Sequence, residues 1–92
     1  MDKEKLLKTV KSIYDWPIED DKIFEVYQNF KEIIRSGDKE AISFFENIIK
    51  FDKKQRMKYR NHLASIGYEL RPTELDQYIL LMIIVMLEMV GV

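Results

Sequence analysis

The ten residues Tyr78 to Leu87, Y-I-L-L-M-I-I-V-M-L, are apolar on every side, whichever period is imposed on them. A surface helix carries one apolar stripe; a helix apolar all round is buried in protein or in a membrane. A bilayer span needs about 18 or more apolar residues, and here Glu88 interrupts after ten. Burial in protein is therefore the expectation, with no membrane span. The helix is expected over about residues 73–90. The Thr73 hydroxyl is placed to accept from the first-turn N–H groups, Glu74 and Asp76 suit the positive end of the dipole, and Gly91 stands where a left-handed cap costs least. A chain of 92 residues can hardly wrap every side of such a helix. The uncovered remainder would be an apolar patch, and such patches usually meet a partner. Leu80, Ile84 and Leu87 are the candidate interface residues, and a homo-oligomer through this helix is expected.

Upstream, the chain reads as helices joined by short connections. Leu6, Leu7, Val10, Ile13 and Tyr14 follow 3–4 spacing, Asp2 can cap their start, and Pro17 should end the helix near Asp15 by constraining Trp16. Trp16 and Ile18 are then expected to fold back onto the core. Ile23, Phe24, Val26, Tyr27, Phe30, Ile33 and Ile34 mark a second helix over 20–36, with Asp20 and Asp21 as cap and dipole charges and Gly37 as its stop. A divalent-cation site at Glu19-Asp20-Asp21 would need further oxygen ligands and a loop to hold them, and the sequence offers no such loop. Asp38 can cap a third helix. Asp52-Lys53-Lys54-Gln55 has the form of a capping box, so residues 38–66 read either as two helices broken near 50–53 or as one long one, with Gly67 as the stop. The fold class is thus all-α: a single domain, 1–92, forming a compact bundle of four to five helices around the apolar C-terminal one.

Charge is distributed unevenly. Lys50, Lys53, Lys54, Arg56, Lys58 and Arg60 face a single anion, Asp52, between positions 50 and 60. The stretch carries +5 in a chain of net −1, which leaves −6 elsewhere, concentrated in 15–25 and 69–76. On a helical wheel at ~100° per residue, Phe51, Gln55, Tyr59, Leu63 and Ile66 share one side, and the cations spread over the remaining arc. Such asymmetry speaks to partners rather than to fold. Four readings compete: a solvated face helped by the molecule's own acidic segments, an acidic protein partner, a nucleic acid, and an anionic membrane surface. For nucleic acid, the overall acidic balance is unlike that of domains that bind duplexes by charge. The segment before the helix, N-I-I-K-F-D-K-K, also lacks the glycine of a tight helix-turn-helix turn.

Catalytic chemistry finds little footing. The chain has no Cys and one His, which removes disulfides, thiolate chemistry and multi-His or Cys-ligated metal sites. No P-loop or dinucleotide-binding glycine pattern occurs, and Ser12, Ser36, Ser43 and Ser65 stand in no nucleophile-elbow context. His62 is expected as a partly buried packing residue beside the apolar side of its helix, and Met82, Met86 and Met89 as core filler on one stripe of the last helix. No enzyme, cofactor or metal is expected. The N-terminus, M-D-K-E-K-L-L-K, lacks the apolar core of a secretory signal, so a cytoplasmic location is expected. The function these features favour is a small protein-interaction module, regulatory, inhibitory or adaptor in role, that binds an acidic partner through the basic helix. The alternative is a nucleic-acid-binding regulator using the same helix.

Overall fold

The computed structural model describes residues 1–71 and 73–89. It is all-helical: α1 (Lys3–Lys11), α2 (Asp20–Arg35), α3 (Lys39–Ile48), α4 (Lys53–Ser65) and α5 (Glu74–Met89), with no strand among the described residues. The cap expected at Gly91 lies outside those residues. None of these helices is long and apolar enough to cross a membrane.

α5 is the centre of the core, as its sequence requires. Leu81 and Val85 are completely buried, and Ile79, Met82, Ile84 and Met86 are nearly so. α2 packs most extensively against it and also lies against α1 and α3. Around α5 gather Leu6 and Val10 of α1, Ile23, Tyr27 and Ile34 of α2, and Phe45 and Ile48 of α3. The rest of the chain covers more of α5 than its small size suggested. Of the apolar run only Leu87 is exposed, at 52%, while Tyr78, Leu80 and Ile83 are partly buried. The wrapping succeeds because the 12–19 connection adds to the helices: Trp16 and Ile18 pack on the core, and the Gln77 amide, itself buried, donates to the Asp15 carbonyl at 2.7 Å. Met82 and Met86 fill core space, with Met89 packed at its edge.

Helix ends follow local chemistry, with two corrections. Asp2 caps α1 by accepting from the Lys5 N–H at 2.8 Å, but α1 ends at Lys11 rather than near Asp15. The Trp16 indole N–H folds back to the Val10 carbonyl at 3.1 Å, and the Ser12 hydroxyl donates to the Thr9 carbonyl at 2.6 Å. The indole bond adds to those from the Ile13 and Tyr14 N–H groups, which the Val10 carbonyl also accepts, and Ile13, now outside the helix, is exposed. At α2 the N-cap is Glu19, without a side-chain cap bond, and Asp20 and Asp21 fall in the first turn instead. The stretch that read as one helix or two is two. Asp38 caps α3 by accepting from Glu40 and Ala41. α4 then opens on a full capping box: Gln55 N–H to the Asp52 carboxylate at 2.8 Å, and Asp52 N–H to the Gln55 side chain at 2.9 Å. α4 closes in a Schellman motif. Gly67, at φ +99°, donates to Ala64 O, and Tyr68 N–H reaches Leu63 O at 2.8 Å.

Candidate functional site

α4 differs from the other helices in having no fully buried residue. Its inner stripe is only half-covered. Tyr59 and Leu63 are partly buried and Ile66 is 57% exposed. The Tyr59 ring lies 6.1 Å from Phe44 and 6.1 Å from Phe51, an aromatic seam that joins α4 to α3. Its capping box gives the helix a firm start without core burial, so the polar arc of the helix stays in water.

The six cations marked in the sequence divide into two groups. Arg56 is engaged within the chain. Its Nε stands 2.8 Å from the Asp76 carboxylate of α5, its Nη1 donates to the Phe51 carbonyl at 2.7 Å, and its side chain is 30% exposed. The pair ties α4 to the start of α5. Lys50, Lys53, Lys54 and Lys58 are exposed and Arg60 is partly so, and none of these five makes an ion pair among the described residues. From the acidic segment 69–76, Asp76 lines a depression with Lys53, Arg56 and Arg60, and its ion pair is with Arg56. Asp20 pairs with Lys11 at 2.9 Å and Asp21 with Lys3, which joins α2 to α1 on their own account. Lys53, Lys54, Met57 and Arg60 surround one small surface depression, with Met57 49% exposed between the cations. His62 is exposed, not the partly buried packing residue expected, and its ring lies 6.5 Å from that of Tyr59.

The candidate interface on α5 is narrower than its sequence suggests. Ile84 belongs to the chain's own core at 8% exposure, Leu80 is partly buried, and Leu87 remains open.

One cluster escaped the sequence reading. The Tyr27 hydroxyl donates to Glu88 Oε2 at 2.6 Å, and the same oxygen lies 3.0 Å from the Met1 amine and 3.6 Å from Lys31 Nζ. Burial pushes the Tyr27 hydroxyl far up, and the hydrogen bond and charge of Glu88 push it further. For Glu88, burial alone would raise the carboxyl. The Tyr27 hydroxyl, the Met1 amine and Lys31 outweigh it and hold the group below its usual range. The lone carboxylate in an apolar run was the available signal, since a charge near the core calls for partners. Lys31, one turn beyond Tyr27, was in position to be one of them. The arrangement fastens α2 to the end of α5 and presents no nucleophile with a base. No group of three metal-ligating side chains comes together among the described residues.

Comparison with protein-family models, with curated proteins and with solved structures gives no match for this chain.

Proposed function

We propose that this chain is a non-enzymatic protein-interaction module that acts by stoichiometric binding, regulating, inhibiting or scaffolding a partner, and that the basic face of α4 meets an acidic surface on that partner. The observation that carries this reading is the state of Lys50, Lys53, Lys54, Lys58 and Arg60. All lie outside the core on or beside a helix with no buried residue, none makes an ion pair among the described residues, and Asp76, which lines a depression with Lys53 and Arg60, is paired with Arg56. A face of this kind steers association with an opposite charge, raising the on-rate more than the affinity.

The test reverses Lys53, Lys54, Lys58 and Arg60 to glutamate, leaves Arg56 in place, and checks helicity by circular dichroism. A partner complex isolated with the unaltered chain is expected to weaken in the variant. A complex of unchanged strength sinks the proposal. Labelled duplex and single-stranded oligonucleotides, titrated in parallel at about 50 and 200 mM salt, are expected not to bind. Binding that falls steeply between those concentrations would transfer the same face to a nucleic-acid ligand.

Self-association through α5 forms a second part of the reading and rests on the exposure of Leu87 at 52%. Sedimentation equilibrium is expected to show a dimer that Leu87→Glu dissolves; a monomer at micromolar concentration removes this part.

A further inference from the structure

Along α4, Lys53 and Arg60 fall on one row two turns apart, with Arg56 on one flank by helical spacing and Met57 and Lys54 on the other. A surface depression opens on each flank, and the two differ in charge. Toward α5 the lining is Lys53, Arg56, Arg60, Thr73 and Asp76, around a space of about 180 Å³. There the Asp76 carboxylate, 2.8 Å from Arg56 Nε, opposes an incoming anion. On the other flank Lys53, Lys54, Met57 and Arg60 line a space of about 290 Å³ with no acidic residue in its wall. None of its three cations makes an ion pair among the described residues. Met57, 49% exposed, is the apolar side chain among them.

The number of charges specifies the ligand. A carboxylate, or a phosphodiester, brings a single negative charge to three cations. A phosphate monoester brings about −1.5 to −2 at neutral pH and three strong acceptor oxygens. The Arg60 guanidinium is a fork that can bond two of those oxygens at once, and the two lysines add point charges. Lys53 and Lys54 reach the depression from the start of α4 and Arg60 from two turns further on, so the cations flank a bound group from both ends. The Met57 thioether is flexible and adapts to varied surfaces. It offers contact to the organic part of an ester, which inorganic phosphate would leave unused.

We infer that the depression at Lys53, Lys54, Met57 and Arg60 binds a phosphate monoester dianion, with the organic part of the ester against Met57. The inference rests on the reading of the α4 face as an anion-binding surface and names the anion. A phosphorylated side chain of the partner and a free organic phosphate carry the same chemistry.

The experiment titrates the full chain, labelled with nitrogen-15, with phenyl phosphate and with benzoate, which has the same ring and one charge, at a fixed ionic strength of about 0.15 M. Phenyl phosphate is expected to bind at least about tenfold more tightly than benzoate, the effect of one further hydrogen bond between charged groups. Saturable shifts should centre on the amides of Lys53, Lys54, Met57 and Arg60. Lys54→Gln should weaken phenyl phosphate about fivefold or more, whereas Lys58→Gln, outside the depression, should change it less than about twofold because its charge is screened. A peptide carrying one phosphoserine then separates the sources. Tighter binding than phenyl phosphate supports a phosphorylated partner, and weaker binding supports a free organic phosphate. Equal affinity for phenyl phosphate and benzoate overturns the proposal, as does an equal loss in Lys54→Gln and Lys58→Gln, which would mean a diffuse field. Absence of saturable shifts overturns it too. In each of these cases the partner-binding reading of α4 stands or falls separately, on whether the glutamate reversals weaken the partner complex.

Discussion

Glu88 is a single carboxylate at the end of an apolar helix, and its partners set how the protein responds to acid. Its carboxyl is held below the ordinary range by the Tyr27 hydroxyl, the Met1 amine and Lys31, against the opposing effect of burial. A carboxyl lowered on folding contributes stability that is fully present above its unfolded value, near 4.5, and is lost as pH falls through the folded value. Glu88→Gln is therefore expected to lower the urea midpoint at neutral pH, with a deficit that shrinks as the solution is acidified below that point. A constant deficit across the range would show that Glu88 acts by packing alone. Tyr27→Phe removes the hydrogen bond from the same site and is expected to cost about 1 kcal/mol. Arg56 and Lys58 make a second contrast between neighbouring cations. Arg56 holds Asp76 and the Phe51 carbonyl, both partly screened from water. Arg56→Ala should cost about 1–2 kcal/mol in thermal or chemical unfolding. Lys58→Ala should stay within about 0.5 kcal/mol, because its charge meets water. In the sequence the two looked alike. Asp76 is 20 positions from Arg56, and only the packing of α4 on α5 brings them to 2.8 Å.

At the scale of elements, α4 and α5 are opposites. α5 is buried along most of its length, whereas α4 has no buried residue and relies on its ends. Local opening should follow that difference, since segments with few buried apolar contacts open at the low end of the free-energy range. Hydrogen exchange is expected to be fastest through α4 and slowest around Leu81 and Val85; equal protection in the two helices would contradict this account. Asp52→Ala, which removes the capping box, should cost about 1 kcal/mol and raise exchange in α4 ahead of the other helices. The caps at Asp2, Asp38 and Asp52 were legible because a cap is a contact between residues three or so apart. The end of α1 was not. Pro17 marked where a helix must stop, but the Trp16 indole, folded back to Val10, accompanies a stop at Lys11.

Across the whole molecule, charge is sorted so that the acidic start of α2 and the basic α1 pair with each other, and most of the 50–60 cations remain unpaired among the described residues. The ion pairs of Asp20 and Asp21 are substantially exposed and add little to stability. Raising salt from about 0.1 to about 0.5 M is thus expected to leave the unfolding midpoint nearly unchanged, while it slows association with an acidic partner several-fold through screening. A large loss of stability over that range would show that the surface pairs matter more than their exposure implies. The core behaves differently. Leu81→Ala should cost about 2–5 kcal/mol, the range for a fully buried leucine.

The sequence by itself determined the helical class, the central place of residues 78–87 and most of the helix ends, since these depend on hydrophobic period and on bonds between near neighbours. Tertiary structure decided which faces stay in water. It placed Ile84 in the core and Leu87 outside, joined Arg56 to Asp76, and gathered Tyr27, Lys31 and Glu88. The physical reason is that exposure and pairing depend on which surfaces of distant helices come to rest against one another. For a helix apolar on every side, the local pattern carries no information about which side that will be.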